Sequence, residues 1–201
     1  FMLLAQWIAP TFIAPLFNKF TPLEEGELKT RIEALLNRCG FTSSGLFVMD
    51  GSKRSGHGNA YFSGFGKTKR IVFFDTLINR LSADEIEAVL AHELGHFKKK
   101  HIIKRIVMMF LMSLFFLFLL ATLKEAPWFY QGLGVTINEN AQTTPIAFLL
   151  FFSIVPIFTF PLTPVFSAMS RKHEFEADQY AAEQSNKAYL ISALVRLYED
   201  N

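Results

Sequence analysis

A single cysteine, Cys39, stands among 201 residues. That excludes a disulfide framework and a structural metal site built from thiolates, and it carries no redox signal. Net charge is only +2 at neutral pH, and no basic stretch is interleaved with aromatics, so nucleic acid is not an expected partner. A Gly-rich phosphate loop is missing, as are internal repeats and low-complexity tracts. No charged segment precedes the apolar opening residues Phe1 to Phe17, which Pro10 and Pro15 interrupt. They read as the end of a membrane or interfacial segment and not as a signal peptide. A chain beginning on Phe1 without a start Met is expected to be a processed or cut piece.

What is abundant is apolar surface. Hydrophobic residues make up 51% of the chain, Phe alone occurs 23 times, and mean hydropathy is +0.26, yet 20 basic and 18 acidic residues are present. The composition is part membrane, part aqueous. Ile106 to Leu123 and Ile146 to Met169 are free of charge and long enough to span a bilayer, the second interrupted by Pro156, Pro161 and Pro164. Pro161 and Pro164 are expected to kink or end that span. Lys98, Lys99, Lys100, Lys104 and Arg105 precede the first span and Arg171 and Lys172 follow the second, whereas Lys124 is the only basic residue between them. The asymmetry places both basic ends on the cytoplasmic side. Two crossings return the chain to the side it left, so residues before the first and after the second can meet.

Ahead of the spans, Glu24 to Arg38 reads as a charged amphipathic helix ended near Gly40. Gly45 to Asp50 and Arg70 to Asp75 read as short strands joined by the Gly/Ser-rich stretch Gly51 to Gly66. A small sheet there would offer an edge to an extended peptide. Within the joining stretch, Asn59 reads from the residues alone as a polar loop residue holding its own turn, with oxyanion donation as the sharper alternative.

The most specific string is His92-Glu93-Leu94-Gly95-His96. Ser82-Ala83-Asp84-Glu85 forms a capping box before it, and Ile86, Val89, Leu90 and Leu94 recur at helical spacing, so the string falls on a helix. Two imidazoles at i and i+4 share a face and can reach one Zn²⁺, with Glu93 placed to take a proton from the water that zinc acidifies. A third ligand is sought in Ser170 to Ser185, an Ala-rich polar stretch read as a second helix on which Glu174 and Asp178 share a face. Two His and one Glu leave a coordination position open, as a catalytic site requires. Asp178 suits the outer role of holding a ligating histidine's second nitrogen. A solvated helix face is the plain alternative for both carboxylates. Glu176 lies about 200° round from Glu174 and faces away, and His173, about 100° round, is a rival ligand.

Four strings in order carry a resemblance: Asp50 to Phe62, Lys69 to Leu77, His92 to His96, and Ser170 to Asp178. Together they resemble the type I CAAX prenyl endopeptidases, multi-spanning membrane zinc proteases that remove the last three residues of prenylated C-terminal tails. The resemblance covers Phe17 to Asn201. It implies that His92, His96 and Glu174 ligate zinc, Glu93 is the general base, Asp178 supports a ligand, and Asn59 assists the transition state. Family members have further N-terminal spans and a C-terminal segment contributing a His; both lie outside these 201 residues, so the chain is expected to be incomplete.

The resulting expectation is an α+β, mostly helical integral membrane protein with a gluzincin-like pair of zinc helices and a small β-sheet. It forms a single metalloprotease domain, residues 1–201. Its parts are a membrane or interfacial end (1–20), helix, sheet and zinc helix (21–105), a span (106–123), a loop (124–145), a second span (146–169), and the third-ligand helix with a following helix (170–201). The expected activity is zinc-dependent endopeptidase action on CAAX-type prenylated or membrane-associated peptides, one Zn²⁺ per chain, with the bilayer and peptide as partners. The setting is a multi-pass membrane, endoplasmic reticulum or bacterial inner membrane, with the site facing the cytoplasm. Two alternatives share the motif: a membrane quality-control zinc protease of the heat-shock type, which lacks the Asp50 to Phe62 string, and a proteolytically silent zinc-binding scaffold, against which Glu93 argues. If the two spans form an out-and-back pair, a membrane-impermeant reagent modifies Lys99 and Arg171 from one side and reaches Gln131 to Gln142 only from the other; opposite-side labelling of Lys99 and Arg171 excludes the pairing.

Overall fold

The computed structural model describes residues 17–53, 59–63, 70–136 and 143–199. The apolar opening before Phe17, part of the Gly51 to Gly66 stretch and residues 137–142 of the expected inter-span segment lie outside them. The chain divides into two compact units, Phe1–Lys99 with Phe175–Asn201, and Lys100–Glu174.

The first unit is built on a four-stranded sheet of order β1-β2-β4-β3, formed by β1 (Phe20–Pro22), β2 (Leu46–Met49), β3 (Ala60–Ser63) and β4 (Arg70–Phe74). β2 and β4 run parallel, Leu46 opposite Ile71, and the outer strands pair antiparallel to them. Ile71, Val72 and Phe73 are all buried, so β4 is covered on both faces, as its unbroken apolar run requires. Two strands were expected and the described residues form four. β1 is only three residues long and ends on Pro22, a residue confined to strand edges by its missing N–H. β3 lies inside the stretch whose Gly and Ser content signalled a loop.

Helix α1 (Glu27–Cys39) ends where expected. Gly40 takes the left-handed conformation (φ 66°) and Phe41 N–H donates to Leu36 O at 2.8 Å, closing the helix end. Its inner face, Ile32, Leu35, Leu36 and Cys39, packs in one core with Ile86, Leu90 and Leu94. Full burial of each large aliphatic contributes about 1.5–3 kcal/mol. After the short α2 (Asp75–Arg80), helix α3 (Ala83–Lys98) begins at the predicted capping box: Ser82 Oγ accepts from Glu85 N–H (3.3 Å) and Glu85 accepts from Ser82 N–H (2.8 Å).

Glu85 does more than cap. Only 2% exposed, it also accepts from Ser192 Oγ (2.6 Å) and Arg196 Nη1 (3.0 Å) on the last helix, α8 (Lys187–Glu199), pinning α8 to the start of α3. Arg31 on α1 reaches Asp84 and Glu87, and Arg38 reaches Glu87 and the Gln184 carbonyl.

The second unit holds α4 (His101–Leu123), α5 (Pro127–Gly132) and α6 (Thr143–Thr159), then a 3-10 turn (Phe160–Leu162) and the first part of α7 (Thr163–Gln184). Leu120, Phe129, Tyr130, Ala147 and Phe151 form its small core. α4 and the run from Thr143 to Gln184 are long and apolar enough to cross a membrane, and their apolar residues are mostly exposed in the structure. Three details differ from expectation. The stretch 124–145 contains α5 and is not all loop. Pro161 produces only the 3-10 turn, because Pro164 falls in the first turn of the next helix, where its missing N–H has no partner to lose. The helix carrying Glu174 therefore starts at Thr163, not Ser170.

Burial alone would raise the Glu85 carboxyl, but the Ser192 hydroxyl, the Ser82 cap and Arg196 outweigh it and hold it below the usual carboxylate range. A carboxyl lowered in the folded state stabilises above about pH 4.3 and loses that contribution as pH falls through the folded value. Glu85→Ala should lose about 2–4 kcal/mol at pH 7 by leaving Ser192 and Arg196 without their acceptor. In thermal unfolding followed from pH 7 to pH 3, the wild type should lose more stability than Glu85→Gln.

Candidate metal centre

α3 and α7 together carry every residue that the sequence nominated for metal. What lets them meet is Gly95. A Cβ at this position would lie 2.9 Å from Ala177 Cα, 3.0 Å from Ala177 O and 3.2 Å from Tyr180 Cβ. Glycine in a helix interior costs about 1 kcal/mol relative to alanine, and here it admits backbone-to-backbone approach. Ala177 and Ala181, one turn apart and fully buried, present the complementary small side chains.

That approach brings His92 Nδ1 to 2.8 Å from Asp178 Oδ1. The tautomer that donates this N–H leaves Nε2 of His92 bare. Nε2 of His96 lies 3.1 Å from it, the two rings meeting edge to face at 71°. The donor atoms of His92, His96 and Glu174 all fall within 4.8 Å of one another. Glu174 is the residue just before Phe175, on the unbroken α7 that also carries Ala177 and Asp178, so the helix itself sets its place. His92 and His96 are half-buried and Glu174 is exposed.

These donors suit a divalent metal ion. Two ligands about 2.0–2.1 Å from a tetrahedral ion stand about 3.3–3.4 Å apart, close to the separation of the two Nε2 atoms. Two nitrogens and one carboxylate oxygen also leave the open position that a catalytic ion needs. His173, the rival ligand, stacks instead on His101, with ring centroids 4.2 Å apart and planes at 14°. Glu93 is half-buried on α3, and Glu176, also half-buried, is outside the ligand group. Asn59 is exposed at the entry to β3. Its Oδ1 accepts from Ala60 N–H (2.8 Å) and its backbone carbonyl from Phe74 N–H (2.9 Å), the first being the local turn contact of the plainer reading.

Gly95, Ala177 and Ala181 were not singled out from the sequence. A signal for the first was present: a glycine inside a strongly capped helix asks for a close packing partner. The Ser192 and Arg196 contacts to Glu85 carried no such signal, since the capping box already accounted for that carboxylate.

Comparison with known proteins adds the following. The model of "Peptidase family M48" matches residues 22–199. CAAX prenyl protease 1 of Saccharomyces cerevisiae is 42% identical over 211 residues, covering 99% of this chain and 47% of the relative. The CAAX prenyl protease 1 homologue of Dictyostelium discoideum is 41% identical over 187 residues (90% and 42% covered), and that of Homo sapiens 35% over 232 residues (94% and 47%). The crystal structure of S. mikatae Ste24p superposes with a TM-score of 0.83 at 42% identity, over 98% of this chain and 48% of that one. The chain thus spans about half the length of the relatives it matches.

The geometry separates Glu174, Glu176 and Asp178 of α7. In equilibrium dialysis against a divalent metal, Glu174→Ala should abolish or severely weaken binding and Asp178→Asn should weaken it about 10–100-fold. Glu176→Ala should change it least; a larger loss there would reassign the ligand set.

Proposed function

The chain belongs to Peptidase family M48, and from that premise we propose that it forms the zinc-bearing part of a membrane endopeptidase cleaving CAAX-type prenylated C-terminal peptides. The observation that carries the reading is the convergence of His92, His96 and Glu174 donor atoms on α3 and α7, with Asp178 behind His92. The relatives' names support the substrate class, and they do not favour the heat-shock or scaffold alternatives. Helices α4 and α6 to α7 support placement in a bilayer, both ends of the pair on the cytoplasmic side.

In this reading His92, His96 and Glu174 hold the ion, which when bound acts as a Lewis acid and lowers the pKa of water to about 7. Asp178 accepts a hydrogen bond from the Nδ1–H of His92, fixing the tautomer that leaves Nε2 to the metal and orienting the ring. Glu93 serves as general base: its carboxylate takes a proton from the attacking water as the new carbon–oxygen bond forms. It then returns that proton to the leaving amine as the carbon–nitrogen bond breaks, so the carboxylate is regenerated and no covalent intermediate is needed. Asn59 spends its Oδ1 on Ala60. Its Nδ2 remains to donate to a substrate carbonyl oxygen, beside a strand that pairs on one side only among the described residues.

Two expectations test this. Full-length protein carrying Glu93→Gln should retain its metal and lose about 10²–10⁴-fold in turnover, since the base is removed and every ligand kept; near-normal cleavage by the metal-loaded variant would reassign Glu93. Matched peptides with and without a farnesyl group should differ in kcat/KM, chiefly through capture, because each buried CH₂ contributes about 0.8 kcal/mol of membrane affinity. Equal values would leave the peptidase and remove the prenyl preference.

A further inference from the structure

The second unit carries a concentration of positive charge that the zinc chemistry does not use. Lys100, Lys104 and Arg105 sit at the start of α4, and Arg171 and Lys172 on α7, all five exposed. The two groups are adjacent because His101, 4% exposed, stacks face to face on His173. Lys100 and Lys104 flank His101 one to three residues away along the chain, and Arg171 and Lys172 immediately precede His173. Along α7 the nearest acid beyond Glu174 is Glu176, one turn past Lys172, so the five cations outnumber the acids around them. Among the described residues of this unit the acids are Glu125, paired with Lys124 (3.4 Å), and Glu174, the candidate ligand. The first turn of α4 contains no acid, and the five cations lead directly into the two apolar runs.

Holding five like charges together costs repulsion unless an anion relieves it, and a single layer of headgroups lies where exposed apolar helices meet water. We propose that this basic collar is a binding surface for anionic phospholipid headgroups. The charges contribute independently of sequence-specific contacts, each through attraction to a lipid phosphate or carboxylate. An acidic protein segment would satisfy the same charges, but the continuity of the collar with the exposed apolar surface of α4 favours lipid. A bound headgroup would also brace α7 one turn before Glu174. The inference rests on the membrane placement proposed above.

The test uses full-length protein with Glu93→Gln, so that turnover plays no part. It is reconstituted in phosphatidylcholine nanodiscs with or without about 30 mol% phosphatidylserine, and retained lipid is counted by native mass spectrometry. The protein should retain phosphatidylserine selectively and unfold at a higher temperature in its presence, and salt near 0.5 M, roughly a 4 Å screening length, should erase both. Lys104→Gln, Arg105→Gln, Arg171→Gln and Lys172→Gln should each weaken retention about 5-fold, and more in combination. Incorporation into both discs without selectivity, or selectivity unchanged in the combined variant, overturns the inference alone. Equal stabilisation by inorganic phosphate overturns the assignment to lipid. Failure to enter either disc overturns it together with the membrane placement.

Discussion

Everything about the candidate centre depends on how closely α3 and α7 approach. The pair of helices meets at Gly95 and Ala177, where a single added methyl group would come within 2.9 Å of a backbone carbon. Only at that separation does Asp178 reach His92 Nδ1, and only with Nδ1 so held does Nε2 face His96. A backbone contact thereby sets a tautomer, and the tautomer decides which nitrogen is left for a metal. The small residues Ala177 and Ala181 serve the same end by keeping α7 smooth along the contact.

Buried charge does a second job at the other end of α3. Glu85 joins a helix cap to α8 through a hydroxyl and a guanidinium, so the start of the helix that carries His92 and His96 and the last described helix of the unit are held by one carboxylate. Arg31 and Arg38 anchor the same turn and its neighbour to α1. The two histidines, two turns and more further on, inherit that rigidity. Such support matters wherever side chains from two helices must hold a fixed mutual geometry.

The long apolar helices obey a different constraint. A long apolar segment with few polar neighbours must keep its backbone hydrogen bonds internal. At Pro161 a 3-10 turn replaces one turn of α-helix, and the chain continues as helix to Gln184. One continuous element is then an apolar run at its beginning and, at its end, the polar helix that carries Glu174 and Asp178.

Where chemistry or periodicity was local, the sequence alone was sufficient. The capping box at Ser82, the end of α1 at Gly40, the strands around Val48 and Val72, the apolar runs, and the helix faces that put His92 beside His96 and Glu174 beside Asp178 were all legible, because each depends on residues a few positions apart. The short strands β1 and β3 were not: three or four residues among Pro, Gly and Ser carry too little periodicity, and they become strands only because β2 and β4 offer unpaired edges. The start of α7 was misplaced because proline's effect depends on which turn it enters. The close packing of Gly95 on Ala177, the diversion of His173 to His101, and the recruitment of Ser192 and Arg196 by Glu85 join residues 72 to 111 positions apart in the chain. Such pairings are chosen by which surfaces fit once the helices exist, and only the tertiary structure could decide them.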